Sequence, residues 1–196
     1  MNNNSLPNNI MPQIADRRSS RFVSSKDIEH NKLKNIFEAA IWAPSAYNLQ
    51  PWYFIVGFRD DDVYNNIFSS LMPGNQAWVK NSPVLAASIS CDTNAENQPN
   101  PTSWYDLGQA MAMLSVQATE EGLFVHQMTG FDKEKLTNSL NIPENHTIVT
   151  VFNIFYLGDG EGLRDAIKKI ETSPRTRRNI KETVFTGKFG NGASFL

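Results

Sequence analysis

Ala43-Pro44-Ser45-Ala46-Tyr47-Asn48-Leu49-Gln50-Pro51-Trp52 lies between two segments of opposite periodicity, and its reading orders the rest of the chain. Upstream, Leu33, Ile36, Phe37, Ala40 and Ile41 recur at i, i+3, i+4, i+7 and i+8, which predicts a helix with one buried stripe. Pro44 closes that helix, because proline lacks an N–H and drives the preceding residue out of helical geometry. Downstream, Trp52 to Phe58 is rich in aromatic and β-branched residues and predicts a strand, launched by the fixed φ of Pro51. Between the two prolines, Ser45, Asn48 and Gln50 can turn the backbone or offer hydrogen bonds to a planar polar ligand. A rigid connector and a ligand-binding loop both fit this segment taken alone.

Working outward, Ser24-Ser25-Lys26-Asp27 predicts a capped start for the upstream helix, with Asp27 three residues after Ser24. Arg17-Arg18-Ser19-Ser20-Arg21 precedes it. If that segment is helical, Arg17 and Arg21 project from one face with Arg18 to the side. On the other flank, Asp60-Asp61-Asp62 reads as a solvated turn leading into a helix around Val63, Ile67 and Leu71, since a metal would need ligands converging from separate elements. Pro73-Gly74-Asn75-Gln76 is expected to break the chain. Val84 to Ser90 is a near-continuous apolar run, as in a strand covered on both faces. Residues 92–103 form a polar, proline-bearing surface excursion.

The longest helix is predicted from Trp104 to Thr119, with Leu107, Met111, Leu114 and Ala118 on one face. Ala110, Met113 and Val116 widen that face beyond the needs of a surface helix, which makes this a central helix. Leu123 to Met128 predicts a strand, Thr129-Gly130-Phe131-Asp132 a turn capping a helix from Lys133 to Leu140, and Thr147 to Leu157 the strongest strand. Gly158, Gly160 and Gly162 end that strand, and their spacing is not a dinucleotide-binding fingerprint. Strands and helices are mixed, with helices flanking a sheet, so the class is α+β or α/β. No repeat or linker divides the chain. We expect a flexible tail over residues 1–13, which are asparagine-rich, and one domain over residues 14–196.

Composition narrows the function. A net charge of -2 and a pI near 5.9 speak against a general polyanion binder. No apolar run is long enough to predict a membrane span, and the amino terminus has neither the basic start nor the apolar core of a secretory signal. The lone Cys91 excludes an intrachain disulfide framework and reads as a small apolar residue. A reducing, cytoplasmic setting fits these features. His30, His126 and His146 fall on different elements without a partner at metal spacing, so no metal site is expected. There is no Gly-x-Ser-x-Gly elbow and no phosphate loop ending in Gly-Lys-Ser. If the chain is an enzyme, its reactive atoms belong to a cofactor. Two arginine clusters bear on which one: Arg17-Arg18-Arg21 and Arg175-Arg177-Arg178 offer forks that match the oxygens of a phosphomonoester. Each cluster alone also fits a solvated basic face.

Arg17-Arg18-Ser19-Ser20-Arg21 followed by Ala43-Pro44-Ser45 and Asn48-Leu49-Gln50-Pro51-Trp52 resembles the nitroreductase family of FMN-dependent oxidoreductases. The resemblance continues through Gly74-Asn75-Gln76, the helix after Asp106, the Gly130-Phe131-Asp132 turn and Arg177-Arg178 before Glu182 and Val184. It implies an α+β sandwich around a mostly antiparallel sheet, in a homodimer with FMN at the subunit interface. It also implies site residues. Arg17, Arg18, Ser19 and Arg21 of one subunit would hold the phosphate, ribityl chain and pyrimidine edge, with Asn75 and Gln76 on the flavin and Arg177 and Arg178 completing the phosphate site. Pro44, Ser45, Ala46 and Asn48, with Thr129 and Gly130, would come from the other subunit.

The reaction implied is ping-pong hydride transfer from NADH or NADPH, through flavin N5, to an electron-poor small molecule such as a nitroaromatic or a quinone. Arg21 is the candidate for stabilising the anionic reduced flavin. Tyr47 and Phe124, with Trp42, Trp78 and Trp104, are candidate walls for a flat substrate, and each also fits a packing role. Two other readings stand beside this one: a specialised flavin oxidase or dehydrogenase acting on a metabolite, and a flavin-binding module without turnover. Nucleic-acid binding is disfavoured, because the basic residues have no aromatics interleaved among them.

Overall fold

The fold is described from a computed structural model, which describes residues 9–196. Four strands, β1 (Trp52–Phe58), β2 (Val84–Cys91), β3 (Phe124–Met128) and β4 (His146–Phe155), form one sheet in the order β1-β2-β4-β3. Every neighbouring pair is antiparallel, as the resemblance implied. Helices cover both faces. On one side lie α2 (His30–Ile41) and α5 (Ser103–Glu120); on the other lie α3 (Asp62–Ser70), α4 (Pro73–Val79) and α6 (Lys133–Ser139).

The central strands are apolar on both sides because each side meets a helical layer. In β2, Val84 and Ala86 enter the core beneath α2 and α5, whereas Leu85, Ala87 and Ile89 enter the opposite core. Strand β4 departs from simple alternation. Ser88 pairs with Thr150 and Ile89 with Ile148, so Val149 is a bulge. The extra residue lets Ile148 and Val151 share one face while Phe152 and Ile154 fill the other. Ile36, Leu114 and Phe152 have no exposed surface; burying each of these side chains contributes about 1.5–3 kcal/mol.

Two local expectations are corrected. The capped helix start predicted at Ser24 is not used, and α2 begins only at His30. Asp27 instead pairs with Arg59 at 2.7 Å, and residues 22–24 run beside the end of β4, where Val23 pairs with Leu157. Pro73 does not break the chain but occupies the first turn of α4, where a missing N–H costs nothing. The tail expected over residues 1–13 lies mostly outside the described residues, and its last two, Pro12 and Gln13, open a short helix, α1 (Pro12–Asp16), with Gln13 donating to Glu120 on α5. A seventh helix, α7 (Asp165–Thr172), follows β4 in a stretch that carried no sequence expectation.

Candidate functional site

Helix α1 stops at Asp16, and the arginine cluster that follows is not helical but irregular, leading to the bridge between Val23 and Leu157. Arg17 and Arg18 take different partners. Arg17 is half-buried beside Arg175 and Arg177, and burial, followed by those two cations, pulls its pKa below the ordinary guanidinium value. Among the described residues no carboxylate forms an ion pair with it. Arg175 donates to the carbonyls of Ala15 and Arg17, at the helix end where backbone acceptors lack intrahelical partners. The two ends of the chain are thus tied into one cationic corner. Of the expected pair Arg177 and Arg178, both exposed, Arg177 joins Arg175 as a charge acting on Arg17.

Arg18 and Arg21 turn toward Glu171 on α7. Arg18 Nη2 lies 3.3 Å from Glu171 Oε2 and Arg21 Nη1 lies 3.5 Å from Oε1, while Ser20 Oγ donates to Oε2 at 2.8 Å. Arg18 also donates to the Glu171 carbonyl. Ser19 is exposed, and it is Ser20 that is buried in this network. The guanidinium carbon of Arg21 sits 5.8 Å from the ring centre of Trp78 on α4. Trp78 packs at 4.4 Å on His126 of β3, whose Nδ1 lies 2.9 Å from the Ser20 carbonyl. Burial lowers the His126 pKa below its usual value, against the raising effect of that hydrogen bond. Trp78, offered above as a substrate wall, is buried and serves as a platform for Arg21.

Three residues before Trp78, Asn75 Nδ2 donates to the Gly130 carbonyl at 3.0 Å. A Cβ at Gly130 would lie 2.9 Å from that nitrogen, so the turn is glycine by close approach. This corrects the division drawn from the resemblance, which put Asn75 and Thr129-Gly130 on opposite subunits; one chain brings them together. Thr129 beside them is exposed. Gln76 turns away, donating to the Phe68 carbonyl on α3. Phe124 is half-buried and packs on Phe155, with ring centres 6.1 Å apart.

The loop between Pro44 and Pro51 is built differently. It contains a 3₁₀ turn over Ala46–Asn48, and Tyr47, Asn48 and Gln50 all have positive φ. A non-glycine residue in this region is held there at a cost of about 1–2 kcal/mol, less for asparagine. The Ala46 N–H donates to Asp106 Oδ2 at 3.1 Å, and Ser45 Oγ accepts from the Gln50 N–H at 3.1 Å. Asp106, buried on α5, also accepts from Thr102 and is the anchor that the sequence did not single out. Held this way, Tyr47 is 97 % exposed, and nearby Trp42 is 84 % exposed. Trp104 is pinned through its indole N–H to Asp92 at 3.2 Å.

Comparison with known proteins places this arrangement. The model of the nitroreductase family matches residues 14–77 and 58–158. The chain belongs to the nitroreductase family. A solved oxidoreductase containing FMN is 33 % identical, covers 93 % of this chain and 93 % of its own, and superposes with a TM-score of 0.87. A nitroreductase family protein from Clostridium novyi NT, at 22 % identity, shares the fold with a TM-score of 0.66 over 92 % of this chain and 94 % of its own. A protein of Archaeoglobus fulgidus provisionally named NADH dehydrogenase/NAD(P)H nitroreductase is 27 % identical over 160 residues, 80 % of this chain and 90 % of its own.

Proposed function

We propose that this nitroreductase-family chain is an FMN-dependent, NAD(P)H-oxidising homodimer that reduces electron-poor small molecules in the cytoplasm. The observation that carries the reading is the convergence of Arg17, Arg175 and Arg177 from the two ends of the chain, without a carboxylate paired to Arg17. Cations gathered and partly desolvated in this way favour a dianionic partner, and each close arginine–phosphate pair is worth about 4 kcal/mol in gross Coulomb terms at surface-like dielectric. The donor set fits FMN. In this reading Arg17, Arg175 and Arg177 hold the phosphate, Arg18 and Ser19 border the ribityl chain, and Arg21 lies at the pyrimidine edge. Asn75 and the Thr129-Gly130 turn face the ring from the same chain.

The chemistry supplied by FMN at N5 is hydride acceptance from NADH or NADPH and delivery to a nitroaromatic or quinone-like acceptor, in ping-pong order. The protein's part is to bind, orient and place positive charge, which agrees with the absence of an acid–base constellation in the sequence. Pro44, Ser45, Ala46 and Asn48 would complete the site from a second copy, and Tyr47 and Phe124 would wall the acceptor. The homodimer is supported by the apolar groups left outside this chain: Trp42, Tyr47 and, on α5, Tyr105 at 71 % exposure beside Gly108 and Ala112.

The test is the visible spectrum of the purified protein, recorded without oxygen before and after adding NADH or NADPH, with its mass in solution. A flavin band that bleaches with either nucleotide, in a species of twice the chain mass, is expected. A colourless protein that takes up no added FMN would overturn the reading.

A further inference from the structure

The described residues bury few carboxylates, and Glu171 is in an unfavourable place for one. It occupies the last turn of α7, where the helix dipole disfavours negative charge, and its side chain retains only 4 % of its exposure. What offsets that cost is what the carboxylate holds. One oxygen takes Arg21; the other takes Arg18 and the buried Ser20 hydroxyl; the residue's own carbonyl takes Arg18 again. Arg21 is thereby fixed between a carboxylate and the Trp78 ring, and a guanidinium has further N–H groups to offer elsewhere.

We propose that Glu171 is a positioning residue that orients Arg18 and Arg21 and sets the reduction potential of FMN bound beside them. The proposal rests on the functional reading above. Reduction adds two electrons to the bound cofactor, and positive charge at its pyrimidine edge favours the reduced form. A negative charge in contact with Arg21 opposes that field and holds the potential down. Arg17 stands apart from this carboxylate, among Arg175 and Arg177, so anchoring and redox tuning fall to two arginine groups.

The experiment compares wild type, E171Q and E171D, each loaded with FMN. The readouts are the affinity for oxidised FMN by fluorescence titration and the two-electron midpoint potential against an indicator dye. E171Q keeps an acceptor for Ser20 and removes the charge. It is expected to bind FMN and to raise the ratio of reduced to oxidised affinity about tenfold, a rise of about 30 mV for a two-electron couple. E171D retains the charge and is expected to stay within about twofold of wild type, even where its melting temperature falls as far as that of E171Q.

An E171Q protein that binds FMN at the wild-type potential overturns the proposal, and so does an E171D shift equal to that of E171Q, which would report loosened packing. Should E171Q fail to fold, S20A provides the opposite sign. It removes a hydroxyl that stabilises the carboxylate and is expected to lower the potential; an unchanged potential there also overturns the proposal. A wild type that takes up no FMN brings down the functional reading and this inference together, whereas the preceding outcomes concern Glu171 alone.

Discussion

The two polar regions of this molecule are satisfied in opposite ways. The arginine segment at residues 17–21 and Arg175 beside it find partners inside the chain: Glu171 for Arg18 and Arg21, backbone carbonyls for Arg175, and an aromatic platform for Arg21. The loop from Pro44 to Pro51 is anchored at its base by Asp106, yet holds its backbone at positive φ and turns Tyr47 outward into solvent. One region is closed and charged; the other is strained and presented. The difference shows how such a site can be divided. Under the proposed reading, the charge-bearing half is prefolded by its own chain, and the other half is an exposed, strained conformation that a second copy would complete.

The comparison can be broken at the charged half first. Arg17→Ala or Arg177→Ala is expected to weaken FMN retention about tenfold to hundredfold, the range for losing a charged hydrogen bond, whereas Arg178→Ala should change it by about twofold or less. Fluorescence titration of the apoprotein checks this, and two such variants purifying with full flavin would refute the phosphate assignment. Glu171→Ala leaves two guanidinium groups facing an emptied site. Because both remain about one third exposed, the loss is expected at about 2 kcal/mol instead of the ~3–5 of a fully buried pair, read from urea unfolding.

At the strained half, Asp106→Ala strands the Ala46 N–H and should cost about 1–2 kcal/mol while loosening the loop; backbone amide exchange at residues 45–50 would speed up if the anchor is real. Tyr47→Gly should relieve strain and raise stability by about 0.5–1 kcal/mol, while weakening self-association. A variant that loses stability instead would show that the loop is not strained. The smallest effect concerns pH. The folded-state pKa of His126 lies below its unfolded value, so its contribution is complete above about 6.5 and is lost as pH falls through the window beneath. Melting temperatures of wild type and His126→Asn should therefore converge as the pH is lowered, and parallel curves would count against the assignment.

Much of the fold was legible because periodicity reports burial. β1 was expected over Trp52 to Phe58 and occurs there, the apolar run at Val84 is a strand buried on both faces, and Trp104 to Thr119 lies within the central helix. The misreadings share one cause, competition from distant partners. Asp27 suited a cap at residue 24 until Arg59 claimed it, and the bulge at Val149 is invisible without the partner strand. At the site, the arginine types and their separation were readable. That Arg175 rather than Arg178 joins Arg17 was not, nor that Asn75 meets Gly130 within one chain.

The sequence by itself determined most of the elements, the family and the kinds of side chain available to a phosphate and a planar ring. Local chemistry suffices for that, since prolines, periodic stripes and arginine clusters act over a few residues. Only the tertiary structure decided which charges confront one another. Arg18 and Glu171 are far apart in the chain, and nothing in either segment reveals that α7 packs its one buried carboxylate against Arg18, Ser20 and Arg21. Electrostatic pairing depends on distance in space, and folding alone sets that distance.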